Sequence, residues 1–193
     1  MAELLLHYPE INSMVTGMNL RIEKVRETDV GLVLSLIKDL AAYEKMSDAV
    51  VATEEDLRHA LFSDPPQVEA LVAWLGSEAV GFTLFFTNFS TFLGRPGLYL
   101  EDLYIKPQWR HQGFGRRMLA ALAQLAVDRK YGRMEWSVLD WNELAIKSYR
   151  EVGASPLKEW TTWRIVGSPL KSLAASAPST STEWALGGAD EQT

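Results

Sequence analysis

The segment from Gly97 to Arg117, GLYLEDLYIKPQWRHQGFGRR, constrains the fold of this chain more than any other stretch. Apolar residues occupy both faces of a period-2 pattern over residues 98–105, which predicts a buried central strand. Strict alternation would put four residues on one face of it: Leu98, Leu100, Asp102 and Tyr104. Pro107 ends the strand because it has no N–H to donate, and a helical run follows over residues 116–131. The segment therefore predicts a strand that leads through a glycine-containing turn into a helix.

The turn between this strand and this helix has the features of an anion-binding site. The first N–H groups of a helix have no partner within the helix, and glycines let an anion approach the backbone closely. The whole chain carries 19 Lys and Arg against 25 Asp and Glu, a formal net charge of −6. Five basic residues nevertheless crowd this turn: Lys106, Arg110, His111, Arg116 and Arg117. A local basic cluster in an acidic protein favours a polyanionic ligand and argues against nucleic acid as a partner.

Two common phosphate-binding motifs do not fit this turn. A nucleoside triphosphate loop needs Lys-Ser or Lys-Thr after its last glycine, where this chain has Arg116-Arg117. The dinucleotide fingerprint needs a small residue where Met118 stands. Considered alone, the turn is also compatible with a helix-capping loop that carries solvated arginines.

Length and composition predict a single globular domain. The chain has 193 residues, of which 47% are hydrophobic and 10% aromatic. We expect residues 1–17 to be a flexible N-terminal extension, residues 18–167 to form the domain, and residues 168–193, rich in Ser, Ala, Thr and Gly, to be a disordered tail.

The amino-acid inventory excludes several classes of chemistry. Cysteine is absent, so the chain has no disulfides, no thiolate nucleophile and no cysteine-bound metal. The three histidines, His7, His59 and His111, are not at metal-ligand spacing, and we expect no metal cofactor. No apolar run reaches the ~20 residues of a membrane span and the N-terminus lacks a secretory signal, so we expect a cytoplasmic protein that does not bind membranes.

Hydrophobic periodicity predicts alternating strands and helices. The expected strands cover residues 19–25, 68–75, 79–87, 98–105, 133–139 and 160–166, with residues 88–97 as a loop. The expected helices follow N-caps near Asp29, Thr53 and Asn142, in addition to the helix over 116–131. This order predicts an α/β or α+β sheet covered by helices on both faces.

A second segment, LDWNELAIKSYREVGA over residues 139–154, makes the sequence more specific. Together with the Arg-x-x-Gly-x-Gly pattern at 110–115, it resembles the W-N-x(6)-Y-x(3)-G-A signature of the GCN5-related N-acetyltransferases (GNAT). The resemblance implies a central mixed, mostly antiparallel sheet and acetyl-CoA as co-substrate. Residues implied at the cofactor are Leu103, Tyr104, Ile105, Arg110, His111, Gln112, Gly113, Phe114, Gly115, Arg116 and Asn142. Tyr149 would protonate the leaving thiolate, and Glu101 would assist deprotonation of the amine through water in a ternary complex.

Three further stretches resemble the diamine (spermidine/spermine) acetyltransferase branch of that family: residues 36–44, residues 99–102 and Trp141-Asn142. The resemblance implies that Tyr43, Glu44, Glu101 and Asp102 surround a cationic amine. Residues 88–92, NFSTF, are similar to the thialysine Nε-acetyltransferases, in which Ser90 and Thr91 would offer hydrogen bonds to an amino-acid end. We therefore expect a small-molecule primary amine, thialysine-like or a short diamine, and the resemblance also implies a homodimer.

Three other functions stay open at this point: acetylation of spermidine or spermine, acetylation of a protein or peptide, and acyl-CoA binding without catalysis. A protein acetyltransferase would need an open groove at the place where the small-molecule interpretation predicts a pocket lined by carboxylates. A binding module would not need Tyr149 or Glu101.

Overall fold

The computed structural model describes residues 19–177. The chain divides into two compact units, Met1–Gly153 and Ala154–Thr193, of which residues 19–153 and 154–177 are described. The extension predicted for residues 1–17 lies outside the described part.

Within residues 19–153 the first unit forms a five-stranded sheet and four α-helices. In chain order these are β1 (Leu20–Lys24), α1 (Val30–Tyr43), α2 (Glu54–Phe62), β2 (Glu69–Leu75), β3 (Glu78–Ser90), β4 (Arg95–Ile105), α3 (Phe114–Asp128), β5 (Met134–Trp136) and α4 (Glu143–Glu151). In the second unit, residues 154–166 form no helix or strand, and α5 spans Gly167–Ala175.

The strands lie in the order in which they occur in the sequence, from β1 to β5. The first four are antiparallel to their neighbours, and β5 runs parallel to β4. This arrangement confirms the prediction of a mixed, mostly antiparallel sheet.

The two faces of the sheet bury different helices because side chains alternate along a strand. Val72 and Phe82 pack with the apolar stripe of α1 and with α2. Leu98 and Leu100 pack against Leu122 and its neighbours on α3. The sheet is therefore covered on both faces, as the sequence predicted.

Side-chain caps start two helices where the sequence places them, whereas Asp29, the predicted cap of α1, makes no such bond to that helix. Thr53 accepts a hydrogen bond from the N–H of Asp56 at 3.2 Å, and Asp56 accepts one from the N–H of Thr53 at 2.8 Å, which forms the predicted capping box of α2. Asn142 caps α4 in the same way, because its Oδ1 accepts a hydrogen bond from the N–H of Ala145 at 3.3 Å.

The alternation predicted for the central strand breaks at Glu101. Leu100 pairs with Phe85 and Asp102 pairs with Leu84, so Glu101 is an extra residue in β4, a β-bulge. The prediction that Leu98, Leu100, Asp102 and Tyr104 share one face is therefore wrong. Beyond the bulge the faces exchange, and Tyr104 packs with α1 and α2 whereas Leu98 and Leu100 face α3.

The pairing between β4 and β5 is short. It covers only three residue pairs, from Leu98 with Met134 to Leu100 with Trp136. In the part of the chain that the structure describes, the edge of β4 beyond Leu100 that faces β5 has no strand partner. The two parallel strands therefore diverge at the bulge and leave a gap in the sheet.

Several predicted boundaries require correction. Residues 88–97 are mostly a hairpin with a short turn at 91–94, because Gly94 adopts a positive φ of 60° that closes the turn tightly. The helix predicted over 116–131 begins at Phe114 and ends at Asp128, because Lys130 adopts a left-handed conformation with a φ of 59°.

Three C-terminal predictions also differ from the structure. The strand expected over residues 133–139 covers only Met134–Trp136 because its partner strand diverges. The stretch 160–166 is not a strand, since alternating apolar residues do not specify one without a pairing neighbour. Helix α5 occupies Gly167–Ala175, where the sequence was expected to be disordered from residue 168 onward; residues 178–193 lie outside the described part.

Gly81 allows β3 and β4 to approach closely beside the bulge. A Cβ at this position would collide with the carbonyl oxygen of Tyr104 and with Cδ1 of Ile105. We predict that Gly81→Ala lowers the free energy of unfolding by more than about 2 kcal/mol, because a backbone oxygen cannot move aside. Chemical denaturation checks this.

The matched control is Gly31→Ala in α1, where the added methyl would meet only the flexible end of Glu54, at 3.1 Å. Alanine favours a helix over glycine by up to about 1 kcal/mol, so this variant should be neutral or stabilised. Equal destabilisation of both variants would contradict the close approach of the two strands.

Candidate active site

The turn predicted to bind an anion lies between the end of β4 and the start of α3. The first hydrogen bond within α3 runs from the N–H of Arg117 to the carbonyl of Gly113, at 3.1 Å. The N–H groups of Phe114, Gly115 and Arg116 precede it and have no partner within the helix. Gly113 caps the helix with a φ of 76°, a conformation that glycine adopts without strain. The backbone of this turn therefore presents several donors to one ligand.

Side chains outside the motif hold this turn in place. Trp109 donates from Nε1 to Oε1 of Glu78 at 2.9 Å, which ties the turn to the hairpin between β2 and β3. Phe114 is 1% exposed and packs with Met118 in the core on the α3 face. Arg117 donates to the carbonyl of Leu20 at 3.1 Å. Sequence reasoning missed Trp109 and Glu78, because a contact between residues 31 positions apart leaves no local pattern.

The other predicted cofactor residues lie partly beside the gap between β4 and β5 and partly in the turn. Leu103, Tyr104 and Ile105 contribute the backbone edge that β5 does not pair with. Asn142 is the N-cap of α4, the helix that follows β5. The predicted His111 has a left-handed φ of 61° and is exposed, and Gln112 donates to the carbonyl of Gln108 at 3.5 Å.

Arg110 lies in the turn, five residues after β4 ends at Ile105. Its Nε donates to the carbonyl oxygen of Ile105 at 3.0 Å, and its guanidinium carbon is 4.0 Å from the centre of the Tyr43 ring. Among residues 19–177 no carboxylate lies within ion-pair distance of it. Its charge is therefore available to an anionic ligand.

Three carboxylates, those of Glu44, Glu101 and Asp102, cluster near the bulge of β4. Burial, followed by the negative charges of Glu101 and Glu44, raises the pKa of Asp102 to about 6. Burial also raises the pKa of Glu44. Glu101, at the bulge, is exposed, although the strand over residues 98–105 was predicted to be buried. Asp102 is the more buried of the two, because the bulge exchanges the two faces.

Tyr149 reaches the same cluster from α4. Its ring packs against Trp136, with 5.0 Å between ring centres. Burial, followed by the negative charge of Glu44, raises the pKa of its hydroxyl above the usual range. The hydroxyl therefore stays protonated at neutral pH and can donate a proton.

Ser90 and Thr91 do not join this cluster within the chain. Ser90 pairs with Arg95 near the hairpin turn, and Glu101 is six residues further along β4, about 20 Å away at ~3.3 Å per residue. The Ser90 hydroxyl is buried and accepts hydrogen bonds from Leu93 N–H and from Nη1 of Arg133. The loop that suggested an amino-acid substrate therefore lies away from the carboxylates of its own chain.

Two further searches concern only residues 19–177. No group of three or more His, Cys, Asp or Glu side chains there has the geometry of a metal site. No helix there is both long and apolar enough to cross a membrane.

Comparison with known proteins agrees with this geometry. Residues 36–154 match the acetyltransferase (GNAT) family. The chain is 38% identical over 164 residues to the thialysine N-epsilon-acetyltransferase of Bos taurus, which spans 79% of this chain and 96% of that protein. It is 30% identical over 210 residues to the L-ornithine N5-acetyltransferase of Arabidopsis thaliana, covering 86% of this chain and 92% of that protein.

A solved structure has the same fold. An integron cassette protein from the mobile metagenome of V. cholerae superposes with a TM-score of 0.70 at 27% identity, covering 83% of this chain and all of that one. The chain belongs to the GNAT acetyltransferase family. It is an N-acetyltransferase, and the fold, the family and the enzyme class that the sequence predicted are confirmed.

Asp102 makes the stability of the protein depend on pH. An acid whose pKa is raised on folding binds its proton more tightly in the folded state, so it destabilises the fold increasingly as pH rises from about 4 to above 6. We predict that Asp102→Asn stabilises the protein at pH 8 by on the order of 2 kcal/mol and changes little near pH 3. Thermal unfolding at several pH values measures this.

Asp128→Asn is the matched control, because Asp128 ends α3 in exposed surroundings. It should not gain stability as pH rises. A constant effect of Asp102→Asn across the pH range would show that Asp102 has an ordinary pKa.

Proposed function

We propose that this chain transfers the acetyl group of acetyl-CoA to the side-chain amine of a small basic amino acid or a compound like it. The observation that carries the proposal is the gap between β4 and β5. It has an anion-binding turn at one end and, at the other, the half-buried carboxylate of Asp102 near the protonated Tyr149. A cationic amine and a polyanionic co-substrate can both reach this gap.

The fit of acetyl-CoA rests on donors that the fold leaves unpaired. The N–H groups at the start of α3, with Gly113, Gly115 and the charges of Arg110 and Arg116, would hold its pyrophosphate. The free edge of β4 over Leu103–Ile105 would take the pantetheine amides as a neighbouring strand would. When bound, acetyl-CoA supplies an activated acetyl group as a thioester.

The residues of the gap can move the two protons that the reaction requires. An amine nitrogen attacks the acetyl carbon, a C–N bond forms and the C–S bond of the thioester breaks. Asp102, with a pKa of about 6, accepts the first proton from the ammonium at neutral pH and releases it to solvent, and Tyr149 donates one to the departing sulfur. The attacking nitrogen loses its second proton as the amide forms, and that proton returns Tyr149 to its protonated state. Glu101, predicted to assist through water, lies next to Asp102 on the bulge. Direct attack needs no covalent enzyme intermediate.

Two features support a small basic amino acid as the substrate. Glu44, Glu101 and Asp102 provide negative charge for a cationic chain. The relatives named above are thialysine and L-ornithine acetyltransferases, whose substrates both carry a side-chain amine on an amino acid. Within one chain, Ser90 and Thr91 do not support this substrate, because they lie about 20 Å from Glu101 along the hairpin.

The first test is coenzyme A release with thialysine, ornithine, putrescine and spermidine. We predict the highest kcat/KM for thialysine or ornithine, and a loss of about 100-fold or more in kcat for Tyr149→Phe. Tyr131→Phe is the matched control, because this half-buried tyrosine also has a hydrogen-bonded hydroxyl, 2.8 Å from Thr87, but lies outside the gap.

Two variants then separate the carboxylates. Asp102→Asn should abolish the rise of kcat/KM with pH near pH 6, whereas Glu101→Gln should keep it. The reverse result would assign proton transfer to Glu101. Preference for spermidine would favour the polyamine alternative, and acetyl-CoA binding without turnover of any amine would direct the search to protein substrates or to a binding module.

We also propose that two copies form a homodimer through the β3–β4 hairpin. Three apolar side chains near its turn are exposed, Phe89 at 60%, Phe92 at 93% and Leu93 at 51%. Adjacent apolar side chains in water are characteristic of an interface. A second copy could also bring Ser90 and Thr91 of one chain to the gap of the other.

We predict that Phe92→Asp weakens the dimer at least tenfold, as measured by sedimentation velocity. Val51→Asp is the matched control, because Val51 is 87% exposed but belongs to the segment before α2 and not to the hairpin. A wild-type chain that sediments as a monomer at micromolar concentration would rule out the dimer.

A further inference from the structure

We propose that Tyr43 is a positioning residue of the acetyl-CoA half of the site, and not the amine ligand that the sequence suggested. The inference rests on the proposed function, since it assigns a role within the same site. It depends on three contacts that Tyr43 makes at the end of α1.

The first contact fixes Arg110. The guanidinium carbon lies 4.0 Å from the centre of the Tyr43 ring, within the range of a cation–π interaction. Tyr104 lies on the same guanidinium, with its ring centre 5.7 Å away. Nε of Arg110 also donates a hydrogen bond to the carbonyl of Ile105, so this hydrogen bond and the two rings hold the side chain at three points. A guanidinium held in this way loses little entropy when it binds a phosphate.

The second contact fixes Asn142. The Tyr43 hydroxyl donates to Oδ1 of Asn142 at 3.3 Å, and the same oxygen accepts the N–H of Ala145. Both bonds use the amide oxygen, so Nδ2 is left to donate to a ligand. Asn142 also begins α4, which carries Tyr149.

The third contact encloses the ring. Trp141 packs against Tyr43 with 5.7 Å between ring centres and an angle of 59° between the rings. Tyr43 therefore lies between Arg110 of the anion-binding turn and the two residues Trp141 and Asn142 at the start of α4. The ring face and the hydroxyl of Tyr43 both have partners within the protein. The neighbouring Glu44 would therefore be the residue that binds the amine.

The adjacent residues Tyr43 and Glu44 would therefore serve different substrates. Glu44 acts electrostatically on Asp102 and Tyr149, whose pKa values it raises. Tyr43 contacts Arg110 and Asn142. The C-terminal end of α1 thus joins the two halves of the site, and the two functions can be separated by mutation.

The test is equilibrium binding of coenzyme A by calorimetry without amine, beside steady-state kinetics. We expect Tyr43→Leu to weaken coenzyme A binding about fivefold to tenfold and to raise the KM for acetyl-CoA in proportion, with an unchanged KM for the amine. Tyr43→Phe keeps the ring over Arg110 and loses only the hydroxyl bond, so its loss should be smaller. If Tyr43→Leu does not fold, Tyr43→Phe and Arg110→Gln still give the comparison.

Tyr131→Leu is the matched control. Tyr131 is also half-buried, its hydroxyl lies 2.8 Å from Thr87, and the guanidinium carbon of Arg129 lies 6.0 Å from its ring centre. Its loss should change stability without changing coenzyme A affinity. A double-mutant cycle of Tyr43→Leu with Arg110→Gln should be non-additive, because the two side chains act through one contact.

Two results would overturn the inference. A raised KM for the amine with unchanged coenzyme A binding would return Tyr43 to the amine site. An additive cycle with Arg110 would show that the two side chains act independently. Failure of the wild-type chain to bind coenzyme A is a different result, because it would refute the proposed function itself.

Discussion

The separation of β4 from β5 is the constraint on which the rest of the site depends. The two strands pair over only three residues, and the extra residue Glu101 bends β4 at the point where pairing stops. Backbone donors and acceptors are normally paired inside a sheet, so an unpaired edge in its interior invites a ligand. Elements from both faces of the sheet meet at this gap, as the bond between Tyr43 and Asn142 shows.

The gap also concentrates groups that are unfavourable for stability. Asp102 is held among other carboxylates in a half-buried position, and Gly113 and His111 both adopt left-handed conformations in the adjacent turn. Such features persist where the surrounding structure is well packed. Here the two hydrophobic faces, with Phe82 on one and Leu122 on the other, provide that support. A bound cationic amine would relieve the repulsion among the carboxylates.

Tertiary contacts place adjacent residues in different surroundings, which sequence spacing does not show. Glu101 and Asp102 are adjacent, yet one is exposed at the bulge and the other is half-buried with a raised pKa. Tyr43 and Glu44 are also adjacent, and their contacts lead to different halves of the site. In both pairs, the role proposed for each residue follows from the direction in which its side chain points.

The sequence by itself determined the fold class, the family, the capping of α2 and α4, and the glycine turn before α3, because these depend on local propensities and on motifs of fixed spacing. Only the tertiary structure decided which face Asp102 occupies, how far Ser90 lies from Glu101, and which residues hold the turn. A bulge shifts alternation by one residue without a distinctive composition, and contacts such as Trp109 with Glu78 join segments that are distant in the chain. Local patterns therefore predicted the elements, and long-range packing determined how they form one site.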